Sequence, residues 1–173
     1  MRNKRLLLAW WSNTGGTAAL VDAAAQGAEQ AARELGPTDT HLSILSVRCD
    51  RLSAQALQRA DGLILATPEC LGTVAGPMKS WIDRCYYPAL ETLAGCPYTA
   101  IVCAGSDGDG ALRLIGRVAK GWRLREVAAP LKVITGAQTP EAIAAPKVIE
   151  PAQLEQARQR GATLAAGLLM SLW

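Results

Sequence analysis

The sequence predicts an α/β domain, a five-stranded parallel sheet with helices on both faces. Three observations carry that expectation. Apolar runs of strand length alternate strictly with stretches of helical periodicity, the central runs are almost continuously apolar, and Gly, Pro and short polar residues mark each change of period. A length of 173 residues suits one core, and 50% hydrophobic against 19% charged residues is the balance of an ordered chain. Residues 1–173 are therefore read as a single domain.

Residues 5–10, Arg-Leu-Leu-Leu-Ala-Trp, read as a buried strand rather than a signal peptide, because the apolar run is short and ends in a polar Ser12-Asn13-Thr14 turn. From 16 to 35 the residues Leu20, Ala24, Ala28, Ala31, Ala32 and Leu35 recur at helical spacing until Gly36-Pro37 stops them. Residues 41–47 alternate like an edge strand, and 53–59 make a short helix. Residues 62–67 form a continuous apolar strand that Pro68 is expected to end. Met78, Trp81, Ile82, Cys85, Ala89 and Leu93 stripe the next helix, with Pro88 bending it. A strand over 98–104 and a helix carrying Ala111, Ile115, Val118 and Trp122 follow, then a fifth strand over 131–135. The Ala- and Pro-rich stretch 136–150 reads as a loop, and Pro151 opens a closing helix.

Composition excludes some functions. Five cysteines without zinc-type pair spacing and a single histidine, His41, give no basis for a structural metal. A formal charge of +3, dispersed along helix faces, does not nominate nucleic acid. No stretch has the length of a membrane span, and the protein is expected in the cytoplasm.

In an open parallel sheet, ligands bind beyond the carboxyl ends of the strands, where the order of the strands reverses. Three loops then matter. The first, Ser12-Asn13-Thr14-Gly15-Gly16-Thr17, joins a strand to a helix with three hydroxyls, two glycines and free backbone amides. Such a turn cradles a phosphate, each charge-assisted bond contributing about 1.5–3 kcal/mol, and an ordinary helix-capping turn is the alternative. It lacks the Gly-x-x-x-x-Gly-Lys-Ser/Thr of a nucleoside triphosphatase and the Gly-x-Gly-x-x-Gly of a dinucleotide fold.

With Trp11 before it, this turn resembles the flavodoxin phosphate loop, an aromatic followed by Ser/Thr-x-Thr-Gly-x-Thr. Residues 60–68, then Gly72 and Gly76-Pro77-Met78-Lys79-Ser80-Trp81-Ile82-Asp83-Arg84, are similar to flavodoxin-like NAD(P)H:quinone reductases and NADPH-dependent FMN reductases. The resemblance implies a flavodoxin-like three-layer sandwich of strand order 2-1-3-4-5 that binds flavin mononucleotide (FMN). By it, Ser12, Asn13, Thr14, Gly15, Gly16 and Thr17 take the FMN phosphate. Thr67, Pro68, Glu69, Cys70, Leu71 and Gly72 lie along the isoalloxazine ring, while Ala104, Gly105, Ser106, Asp107 and Gly108 close its other side; a plain surface turn is the alternative for this third loop. Where the family often places a flavin-covering aromatic, this chain has Glu69-Cys70-Leu71, with Glu69 expected to face water.

Cys70 and Cys103 end adjacent strands and suit either a redox dithiol or, more commonly, small buried hydrophobes. Arg113, Arg117 and Lys120 fit either a solvated face or a receptor for the 2′-phosphate of NADPH. The leading expectation is an oxidoreductase that passes electrons from NAD(P)H through FMN to a quinone or similar small acceptor, with no catalytic side chain required. A flavodoxin-type electron carrier and a binding protein that has lost FMN are the alternatives; an isoelectric point near 8.7 disfavours an acidic carrier. Trp173 and the apolar Leu168-Leu169-Met170 end suggest a homo-oligomer.

Overall fold

The computed structural model describes residues 2–36 and 40–173. Strand β1 (Arg2–Trp10) leads into helix α1 (Gly16–Leu35), and β2 (Thr40–Arg48) into a 3-10 turn, Cys49–Arg51, and α2 (Ala54–Gln58). Helix α1 ends at Gly36, whose N–H donates to the Arg33 carbonyl at a φ of +68°; Pro37, expected to share that stop, lies outside the described residues. Then come β3 (Gly62–Cys70), β4 (Thr73–Val74), α3 (Gly76–Ala89), β5 (Pro97–Ala104) and α4 (Asp109–Gly121). The chain closes with β6 (Arg125–Glu126), β7 (Leu131–Ile134), α5 (Pro140–Ala144) and α6 (Pro151–Leu169).

The principal strands run parallel in the order β2-β1-β3-β5, and β6 and β7 both pair with β5, along its first and second halves. They amount to one interrupted fifth strand, so the order 2-1-3-4-5 holds. The interruption at Ala128-Ala129-Pro130 is bridged by the Thr99 hydroxyl, which donates to the Ala128 carbonyl at 2.9 Å.

Alternation along each strand builds two cores. Leu7, Ala9, Leu63, Leu65, Ala100 and Val102 face α2, α3 and α4, while Leu6, Leu8, Ile64, Ala66 and Ile101 face α1 and α6. Both faces being covered explains why β3 and β5 read as unbroken apolar runs.

Two expectations are corrected. Pro68 does not end the third strand: β3 continues to Cys70 and turns back as a hairpin, pairing Glu69 with Val74 and Cys70 with Thr73. Proline is tolerated in parallel register with Cys103 because the strand is leaving the main sheet there. The stretch 136–150 contains α5, begun by the Thr139 hydroxyl accepting from Ala142 N–H at 3.2 Å with Pro140 in the first turn. At the carboxyl end, Leu168 and Leu169 are buried, while Met170 and Leu172 are exposed.

Helix α6 lies on α1 with backbone against backbone. A Cβ on Gly161 would overlap the Ala24 carbonyl, and one on Gly27 would overlap the carbonyl of Arg158. Gly161→Ala should therefore cost about 1–3 kcal/mol in urea unfolding. Gly116→Ala in α4, where nothing lies within 4 Å of the new methyl, should stabilise by up to ~1 kcal/mol.

Candidate functional site

The carboxyl ends of β1, β3 and β5 open onto a cavity of about 490 Å3, a volume suited to a nucleotide-sized ligand. Its floor is the turn after β1. Gly15 adopts a φ of +88° as the N-cap of α1, a conformation that favours glycine, and provides no side-chain cap. The first intrahelical bond is Ala19 N–H to the Gly15 carbonyl, so the amides of Gly16, Thr17 and Ala18 are left at the helix mouth. Thr17 is buried, and its hydroxyl has no hydrogen-bond partner among the described residues.

The rest of the turn is held from within. Ser12 Oγ accepts from Gly15 N–H at 3.1 Å. Asn13 accepts from Trp11 Nε1 at 2.6 Å and donates to Cys70 Sγ at 3.4 Å, tying the first loop to the second. The Trp11 ring in turn lies under the Arg48 guanidinium, 4.5 Å from its centroid. Ser12, Asn13, Thr14, Gly16 and Thr17 line the cavity, whereas Gly15 sets the backbone without lining it.

In the second loop, Pro68, Glu69, Cys70, Leu71 and Gly72 line the cavity. Thr67 does not: fully buried, it accepts from Ala75 N–H at 3.1 Å and donates to the Pro68 carbonyl at 2.9 Å, bracing the hairpin from below. Glu69, expected to face water, instead turns onto the start of α4. Its Oε2 accepts from Gly108 N–H at 2.7 Å, and its Oε1 accepts from Gly110 and Ala111 at 3.0 and 3.2 Å. Three amides and the positive end of a helix compensate this carboxylate. The hairpin tip, Leu71-Gly72, has φ values of +51° and +73°, the backbone of a primed turn, and Leu71 is fully exposed at the rim.

The third loop contributes Ala104, Gly105 and Ser106 to the cavity, but Asp107 and Gly108 lie off it, because Glu69 draws the Gly108 amide to the other side. Asp109 is paired with Lys132 at 2.6 Å. That hydrogen bond holds its carboxyl below the usual range and the lysine above it.

Sequence reasoning missed one wall. Thr135, Ala137, Ile143 and Lys147, all from 135–147, line the cavity. This strap is stitched down by Thr135 and Gly136 donating to the carbonyls of Ala104 and Gly105, and by Lys147 N–H donating to the Thr14 carbonyl at 2.8 Å. Lys147 Nζ donates to the carbonyls of Ala142, Ile143 and Ala145 at 2.7, 2.9 and 2.5 Å, closing the end of α5. The Thr139-Pro140-Glu141 cap was the available signal. Cys103 also lines the cavity; burial pushes its thiol up, and Lys147 partly offsets this. Cys70 and Cys103 are both free thiols, and the buried Cys103 serves as packing against Gly16, whose Cβ would come within 2.8 Å of its sulfur.

No curated protein matches the sequence. Residues 11–129 match the family model described as NADPH-dependent FMN reductase. The chain belongs to that family. An oxidoreductase from Corynebacterium diphtheriae superposes with a TM-score of 0.69 at 20% identity, covering 99% of this chain and 98% of that one. A flavodoxin, WrbA-like protein from Agrobacterium tumefaciens gives 0.64 at 19%, covering 97% and 98%. A flavodoxin from the domain Archaea gives 0.70 at 16%, covering 93% and 96%. At these identities the structures share the fold, and the family match makes this chain a flavodoxin-like, FMN-dependent oxidoreductase. No helix among the described residues is long and apolar enough to cross a membrane.

Within this FMN reductase family member, Glu69 is the strut between the second and third loops. Glu69→Ala should destabilise the protein by about 1.5–3 kcal/mol, with hydrogen-exchange protection lost first at the amides of Gly108, Gly110 and Ala111. Unchanged protection at those amides would contradict the bonding described.

Proposed function

We propose that the cavity holds FMN with its phosphate at the mouth of α1, and that the protein uses it to oxidise NAD(P)H and reduce a quinone or similar small acceptor. The observation that carries this reading is the buried Thr17 hydroxyl without a partner beside three amides that no side chain caps. An unsatisfied buried donor is costly, and an anion at this position would satisfy it along with the helix dipole. Bound there, the flavin would supply hydride acceptance from the nicotinamide and two-electron delivery to the acceptor.

The chain's own residues bind and orient. Of the ionisable groups lining the cavity, Glu69 and Lys147 are each committed to three backbone partners, and the other two are the thiols of Cys70 and Cys103. Histidine is absent from the lining among the described residues. That inventory supports chemistry carried by a cofactor rather than by a side-chain acid and base. The phosphate is held by Thr17 and the amides of Gly16 and Thr17, with Ser12 and Thr14 at the edge. Leu71 offers an aliphatic surface to the ring where related proteins often use an aromatic.

The activity is tested by following NADPH absorbance with added FMN and a soluble benzoquinone, without any partner protein; turnover supports the reductase, and its absence with flavin bound favours an electron carrier. Thr17→Val tests the cradle. It should weaken FMN binding about tenfold or more in a fluorescence titration while leaving the flavin-free protein as stable or more so, since a methyl replaces an unpaired hydroxyl. Unchanged affinity would remove Thr17 from the site. Leu71→Asn should stabilise the flavin-free protein by up to ~1 kcal/mol, because asparagine suits positive φ, yet weaken FMN binding. Unaltered FMN affinity would take Leu71 off the ring.

A further inference from the structure

The strap from Thr135 to Lys147 lays one side chain across the mouth of α1. A Cβ placed on Gly16, the first residue of that helix, would stand 3.1 Å from Lys147 Cβ and 3.4 Å from Lys147 Cγ, so the bare glycine backbone lets the lysine stem cross there. The crossing is fixed on both sides. Lys147 N–H donates to the Thr14 carbonyl at 2.8 Å, and Ile149, two residues on, is buried in the core that faces α1 and α6. Three side-chain bonds separate Cγ from Nζ, which keeps the ammonium within a Debye length of about 8 Å from that point.

We propose that Lys147 is the residue by which the cavity selects a ligand ending in a phosphomonoester over the same ligand with an uncharged end, its ammonium supplying the full positive charge that the cradle at α1 lacks. The inference rests on the reading that the FMN phosphate lies at the mouth of α1.

The charge balance at the mouth carries it. A phosphomonoester at neutral pH brings a charge of about −1.5 to −2, whereas a helix amino end offers the equivalent of about +0.5. Lys147 is the only lysine or arginine lining the cavity among the described residues, and it forms no ion pair with any of them. Its ammonium donates to the carbonyls of Ala142, Ile143 and Ala145, neutral groups that solvate the charge without cancelling it. Glu69, the carboxylate in the same lining, is engaged by three amides of α4 and its cap. A helix dipole and one ammonium together approach the charge of the phosphate, which neither does alone. A lysine that only closed the end of α5 would also make these carbonyl bonds, but it would not distinguish two ligands that differ by a phosphate.

Fluorescence titrations of the flavin-free full chain with FMN and with riboflavin, at low and high salt, test this without turnover. Lys147→Met keeps the aliphatic stem over Gly16 and removes the charge; it should weaken FMN binding about tenfold or more and leave riboflavin binding within about twofold. Added salt should weaken FMN binding to the parent more than to this variant. Lys147→Arg, which keeps the charge, should restore most of the FMN affinity, and Lys120→Met, an equal loss of charge on α4 outside the cavity lining, should leave both affinities as in the parent. An equal loss for FMN and riboflavin in Lys147→Met would overturn the inference and reduce Lys147 to a fastener of the strap. An arginine variant as weak as the methionine variant, or a loss matched by Lys120→Met, would overturn it too. If the parent prefers FMN and Lys147→Met keeps that preference in full, the lysine is excluded while the cradle at α1 stands. If the parent itself binds FMN no better than riboflavin, the phosphate reading fails and this inference falls with it.

Discussion

Two helices begin at the carboxyl edge of the sheet behind a left-handed glycine, and only one of them has its first amides occupied. Gly108 caps α4 at a φ of +85°, and Glu69, reaching from β3, fills its mouth with a carboxylate. Gly15 caps α1 at +88°, and no side chain among the described residues caps that mouth, where the buried Thr17 hydroxyl also lacks a partner. Backbone amides and buried hydroxyls are seldom left orphaned, so the difference between the two helix ends is what supports the proposal of a ligand at α1. The same carboxylate that satisfies α4 also decides what the site is made of, since it pulls Gly108 away from the cavity and fixes the hairpin over α4.

The cavity depends on three pieces of chain being held at fixed positions by bonds that are mostly not local in sequence. Asn13 links the first loop to Cys70, Glu69 links the second to the third, and the strap from Thr135 to Lys147 is sewn to Ala104, Gly105 and Thr14. Beneath them, the backbone contact of α6 with α1 at Gly161 and Gly27 fixes the helix whose amino end forms the floor. Packing in the lower half of the molecule thus sets the geometry of a site at its upper edge. What remains adjustable is the hairpin tip, where Leu71 sits exposed in a conformation that leucine rarely adopts; strain of this kind is characteristic of functional rims.

Much of this was legible in the sequence, for identifiable reasons. Strands β1, β3 and β5 are buried on both faces, so hydrophobicity alone locates them, and the Ser12 to Thr17 turn is contiguous and chemically distinctive. The strand order came with the flavodoxin resemblance rather than from periodicity. Glu69 could not be placed, because its partners lie about forty residues away and nothing local distinguishes a carboxylate that caps a distant helix from one in water. Pro68 misled because its lack of an N–H matters only inside a ladder, and the chain is leaving the ladder there. The strap was missed because α5 has five residues, none buried, and so carries no hydrophobic period; its Thr139 cap was the only local mark.

The central claim is that the open end of α1 exists to bind the phosphate of a flavin nucleotide. Parallel fluorescence titrations of the flavin-free protein with FMN and with riboflavin test it most directly, since the two differ only in that phosphate. The account predicts one FMN per chain bound at least a hundredfold more tightly than riboflavin, on the order of the 3 kcal/mol or more expected of several charge-assisted bonds. Equal affinities, or no binding of either, would contradict it.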